Sequence, residues 1–66
     1  MEIDRFLQAK DCELMTGIAA STWRWWAYNG QGPKSFKLGG RRVWRESVVM
    51  EWIATQEATT STGGED

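Results

Sequence analysis

Three different spacings of apolar and polar residues follow one another along this chain, and each predicts an element. Ala9, Cys12 and one of Leu14 or Met15 recur at helical spacing with Lys10, Asp11 and Glu13 between them, which predicts a short amphipathic helix over about Ala9 to Met15, with Phe6 and Leu7 packing ahead of it. Gly17 breaks the pattern, Ile18 stands as an isolated apolar residue, and a second helical run extends over about Ala20 to Tyr28. Two helices joined through a glycine turn make an αα unit of the helix-turn-helix kind. At about 100° per residue, Trp23, Trp26 and Ala27 fall on one face of the second helix and Ser21, Arg24, Trp25 and Tyr28 on the other. Its start lacks a good cap: Ala19 and Ala20 stand where an N-cap belongs, and Ser21 and Thr22 come slightly late.

Asn29-Gly30-Gln31-Gly32-Pro33 ends this helix, since Asn and Gly tolerate left-handed backbone and Pro cannot continue it. Ser35 to Leu38 then alternates polar and apolar, Gly39-Gly40 supplies a turn, and Arg42 to Arg45 returns, which predicts a β-hairpin with Phe36, Leu38 and Val43 inward and Lys37, Arg41 and Arg42 outward. A last helix is predicted over about Glu46 to Gln56, with Val49, Trp52 and Ile53 on one stripe and Glu46 at the dipole's positive end. Residues 1–57 therefore read as one domain of α+β class, mostly helical, and 58–66 as a disordered acidic tail with no apolar residues to offset ordering entropy.

A chain of 66 residues buries only roughly 60% of its unfolded surface, so its core is marginal without large side chains. Five tryptophans supply them, each able to bury roughly 150–250 Å². Trp23, Trp26 and Trp52 are assigned to the core by periodicity; Trp25 is ambiguous, with packing against the hairpin or Trp44 favoured over a place beside DNA. Cys12 is the one cysteine and there is no histidine, so neither a disulfide nor a Cys/His metal site is expected, and Cys12 reads as a small buried apolar group. No apolar run approaches the roughly 20 residues of a membrane span and no secretory signal is evident, which points to a soluble protein of the host cytoplasm with no membrane partner and no cofactor.

Charge changes the picture more than composition does. Arg24 to Arg45 carries six basic residues (Arg24, Lys34, Lys37, Arg41, Arg42, Arg45) and no acidic one. Met1 to Trp23 carries two basic and four acidic residues, and Glu46 to Asp66 five acidic and none basic. A formal net charge of −1 thus conceals a localised positive field, the feature to which a polyanion responds. No nucleophile–base pair and no phosphate loop is present, and Asp11, Glu13 and Glu51 have the spacing of solvated helix faces, so an enzyme is not expected.

The order helix, glycine turn, helix, Gly-x-Gly-Pro, hairpin, helix is that of a winged helix-turn-helix. The strings Thr22-Trp23-Arg24-Trp25-Trp26, Gly30-Gln31-Gly32-Pro33, Phe36-Lys37-Leu38-Gly39-Gly40-Arg41-Arg42-Val43-Trp44 and Val49 with Trp52-Ile53 resemble the small MerR-like family of phage excisionases, or recombination directionality factors, and AlpA-type regulators. The resemblance covers about Phe6 to Glu57 and is greatest to the excisionase type of actinobacterial phages. It implies a second helix in the major groove, with Ser21, Arg24, Trp25 and Tyr28 at exposed recognition positions, and a wing that brings Arg41 and Arg42 to an adjacent minor groove or backbone. It also implies Trp44 near a phosphate just after the wing. The family's usual Ser or Thr before the recognition helix is replaced by Ala19.

In chemical terms, Arg24 can donate two parallel hydrogen bonds to guanine O6 and N7 or contact a phosphate, and Tyr28 can donate its hydroxyl to phosphate. Gly39-Gly40 keeps the wing tip slim beside Arg41 and Arg42, while Lys37 and Arg45 extend the basic surface. The leading expectation is a DNA-binding phage excisionase that bends attachment-site DNA and directs integrase, its partner protein, with cooperative copies on the duplex. The chain's short end, with no coiled-coil helix or effector domain, favours this expectation. An AlpA-like or MerR-like transcriptional regulator is the alternative, and a protein-interaction module built on the exposed aromatics a more remote one.

Overall fold

The computed structural model describes residues 3–60. In chain order the elements are β1 (Phe6–Leu7), α1 (Ala9–Thr16), α2 (Ala20–Tyr28), β2 (Phe36–Leu38), β3 (Arg41–Arg45) and α3 (Glu46–Thr60). The sheet is antiparallel with strand order β1-β3-β2. This small α+β arrangement, a two-helix unit followed by a hairpin and a last helix, is that of a winged helix-turn-helix.

The α1 helix buries Ala9 and Cys12, and the third position of that stripe is Thr16 rather than Leu14 or Met15, both of which are exposed. Thr16 can take the position because its hydroxyl donates to the Cys12 carbonyl at 2.7 Å. Gly17, at φ 80°, closes α1 in the left-handed conformation, its N–H donating to the Glu13 carbonyl at 2.7 Å. Burial pushes the Cys12 thiol up to about 11, with the neighbouring Asp11 charge adding to the shift, so the side chain stays a neutral apolar filler.

Trp23 organises the core. It is fully buried, and its ring lies 5.2 Å from Trp26, 5.8 Å from Trp44 and 5.9 Å from Trp52, each in edge-to-face geometry. Leu7, Ala9, Cys12, Trp44 and Val49 complete the buried cluster, with Ile18, Trp26, Trp52 and Ile53 partly buried against it. Aromatic pairs of this kind add about 0.5–1.5 kcal/mol each beyond area burial, a large contribution in so short a chain. Trp23 Nε1 is the one buried side-chain nitrogen without a hydrogen-bond partner among the described residues.

Several expectations are corrected. Phe6 and Leu7 form a strand that pairs with Arg45 and Trp44, so the hairpin becomes a three-stranded sheet; two residues are too short a run to display alternation. The α3 helix continues four residues past Gln56 to Thr60, with the Thr59 and Thr60 hydroxyls donating to the Thr55 and Gln56 carbonyls of the preceding turn. The remaining tail positions, 61–66, lie outside the described residues. Leu38, expected inward, is 49% exposed.

Candidate nucleic-acid interface

The outward stripe of α2 is laid down by the burial of its opposite face. With Trp23 buried, Ser21, Arg24, Trp25 and Tyr28 stand exposed at successive turns. Trp25 is 57% and Tyr28 88% exposed, so the favoured packing role for Trp25 is overturned: the core is already filled by Trp23, Trp26, Trp44 and Trp52. The absent N-cap of α2 is supplied from another helix. Ala19 provides no side-chain cap, and the Ala20 N–H instead donates to Glu13 Oε1 at 3.3 Å, placing a carboxylate at the helix's positive end.

Strand register decides where the wing cations lie. Phe36 is opposite Val43, Lys37 opposite Arg42, and Leu38 opposite Arg41. Opposed residues share a face and consecutive residues do not. One face, turned toward the helices, therefore carries Leu7, Trp44, Lys37 and Arg42; the other carries Phe6, Phe36, Val43, Arg45, Leu38 and Arg41. Arg41 and Arg42 leave β3 on opposite faces, because neighbours on a strand alternate, yet both line one cleft beside the start of α1. Arg42 reaches Ser35 Oγ at 3.5 Å, while Arg41 Nη1 donates to Gln8 Oε1 at 3.2 Å.

Trp44 is also corrected. Its side chain is fully buried against Trp23, which leaves it no route to a phosphate. Arg45 is engaged within the fold: its guanidinium lies 3.7 Å from the Asp4 carboxylate and 4.9 Å over the Phe6 ring. Arg5 makes the second ion pair, with both carboxylate oxygens of Glu46 at 3.2 Å. The Asp4 carboxyl is held below its ordinary value by hydrogen bonds from the Ser47 N–H and hydroxyl, helped by Arg45; that of Glu46 is lowered by Arg5. These five residues, Asp4, Arg5, Arg45, Glu46 and Ser47, fasten the start of α3.

What remains is a cleft of about 370 Å³ between the start of α1, the middle of α2 and the wing. Lys10, Arg24, Lys37, Arg41 and Arg42 line it, beside Gln8, and no acidic residue does. Among the described residues, none of these five cations forms an ion pair. Sequence reasoning missed Gln8 and Lys10, which sit in an acidic stretch. One signal was available: Lys10 lies in the first turn of α1, where a cation opposes the helix dipole and local stability gives no reason for it.

No helix among the described residues is long and apolar enough to cross a membrane, and none of their His, Cys, Asp or Glu side chains cluster as a metal site. No curated protein and no solved structure matches the chain. A family model does, over residues 5–57, a span that takes in α1, α2, the wing and most of α3. The chain belongs to the family of the prophage CP4-57 regulatory protein AlpA.

Proposed function

We propose that this protein is a DNA-binding transcriptional regulator of prophage genes, with α2 in the major groove and the wing against the flanking backbone. The observation that carries the reading is the acid-free cleft in which Arg24 of α2 meets Lys37 and Arg42 of the wing. Those cations come from elements distant in sequence, and a fold that gathers them without a carboxylate raises the local potential for a polyanion. The exposed stripe Ser21, Arg24, Trp25 and Tyr28 then faces the bases, with hydroxyl, guanidinium and aromatic groups suited to edges, phosphates and sugars.

Membership in a prophage regulatory family favours the regulator over the excisionase expectation. The two make different demands on the DNA. A regulator acts by occupying or reshaping a promoter, whereas an excisionase must bend an attachment site, at a cost on the order of 1–6 kcal/mol for 40–90°. Footprinting on prophage promoter and attachment-site fragments, joined to a promoter reporter and an integrase assay, tests the proposal. Protection of promoter DNA with altered transcription and an unchanged excision-to-integration ratio is expected. Protection confined to the attachment site, with that ratio shifted toward excision, would reinstate the excisionase.

A further inference from the structure

The cleft has a chemistry narrower than a general basic surface. Its polar groups are nearly all donors: two ammonium groups from Lys10 and Lys37 and three guanidinium groups from Arg24, Arg41 and Arg42. The one side-chain acceptor among them, Gln8 Oε1, already takes a hydrogen bond from Arg41. A base edge presents donors and acceptors together, and so is a poor match to such a lining. An acceptor-only anion is a good one, since planar guanidinium forks and ammonium groups satisfy phosphate oxygens from several directions.

We propose that this cleft seats a single backbone phosphodiester of the DNA, with Lys10 of α1 as a further contact, so that α1, α2 and the wing close on one phosphate. The inference rests on the DNA-binding reading above. The Lys37–Arg42 pair supports it independently: like charges set directly across a β-ladder repel, and a shared anion removes the repulsion. The first turn of α1 borders the same space, since Ala9 and Lys10 both line the cleft. Two consequences follow. Arg24 is a phosphate ligand rather than a guanine reader, which leaves discrimination among bases to Ser21, Trp25 and Tyr28. The phosphate fixes the register of α2 in the groove, because it ties the recognition helix and the wing to one point on the strand.

The test uses Lys10→Gln and Lys10→Arg in the full chain, with folding checked by circular dichroism. Phosphate-ethylation interference on a bound duplex should show one position at which ethylation weakens Lys10→Gln clearly less than it weakens the wild type and Lys10→Arg. The plot of log K against log salt should flatten by a fraction of one unit in Lys10→Gln and recover in Lys10→Arg. An unchanged slope and interference pattern in Lys10→Gln would overturn the cleft assignment while leaving DNA binding intact. Absence of duplex binding by the wild type would instead remove the reading beneath it. In a parallel arm, inorganic phosphate is titrated at constant ionic strength and followed by amide shifts. A one-to-one complex abolished by Lys10→Gln, alongside undiminished DNA binding by that variant, would assign the cleft to a free anion and overturn the proposal.

Discussion

Lys37 and Arg42 stand directly opposite one another across the β2–β3 ladder, two like charges held at the closest cross-strand position. In the isolated protein such a pair is unfavourable, by a few tenths to about 1 kcal/mol relative to a neutral pair. Lys37→Thr should therefore raise the urea midpoint slightly, adding up to about 1 kcal/mol of stability, while weakening binding to every duplex tested. Loss of stability with unaltered binding would mean that the pair serves the fold instead.

Two residues adjacent in sequence should separate core from surface. Trp23 is fully buried among three other tryptophan rings, and Trp23→Ala should cost roughly 3–5 kcal/mol, enough to unfold much of a domain this small. Arg24 is exposed, and Arg24→Ala should keep the wild-type melting temperature within a degree or two while reducing affinity for DNA. Thermal melts and gel-shift titrations on the same two variants check both halves.

Gly32 is fixed for two reasons at once. Its φ is +71°, and a Cβ built there would lie 3.0 Å from Cε3 of Trp26, a ring locked between Trp23 and Trp52. Left-handed backbone costs a non-glycine residue roughly 1–2 kcal/mol before any clash is counted. Gly32→Ala should lower the denaturation midpoint by at least that amount. Gly30→Ala, at the same φ of +71° but with nothing within 4 Å, should cost only the backbone part. Equal losses in the two variants would show that Trp26 yields freely.

The staple at the start of α3 predicts acid sensitivity. Asp4 and Glu46 are both held below their ordinary values of 3.8 and 4.5, so the folded state favours their charged forms. Their contribution is complete above those ordinary values and is lost as pH falls through the lowered ones. Urea midpoints should be level from neutral pH down to about 5 and then decline. Asp4→Asn should be less stable at neutral pH and show a shallower decline, and a decline identical to that of the wild type would remove Asp4 from the effect.

The parts of the fold readable from sequence were those with a local cause. The Ser21, Arg24, Trp25, Tyr28 stripe follows from helical rotation, and the turn at Gly30 to Pro33 from backbone chemistry. Features made by distant pairs were not readable. Glu13 caps α2 across a turn, and Asp4 caps α3 from the other end of the chain. Lys10 joins the cleft only because β1 lies beside β3 and brings the start of α1 to the wing. The wing needs the register as well: Arg41 and Arg42 leave β3 on opposite faces, as the Leu38–Arg41 and Lys37–Arg42 pairings show, and still line one cleft. Trp44 was drawn toward DNA by its place after the wing, although its parity with Leu7 sets it on the inner face.

The salt dependence of binding to duplex DNA tests the central claim most directly. Four or five phosphates, one in the cleft and the others along α2 and the wing, should give a slope of log K against log salt of roughly −4, from about −0.9 per phosphate. The Arg24→Ala, Arg42→Ala double variant, which frees the one cleft phosphate, should remain folded and bring that slope to roughly −3. A wild-type slope near zero, or a double variant whose slope matches the wild type, would contradict the account.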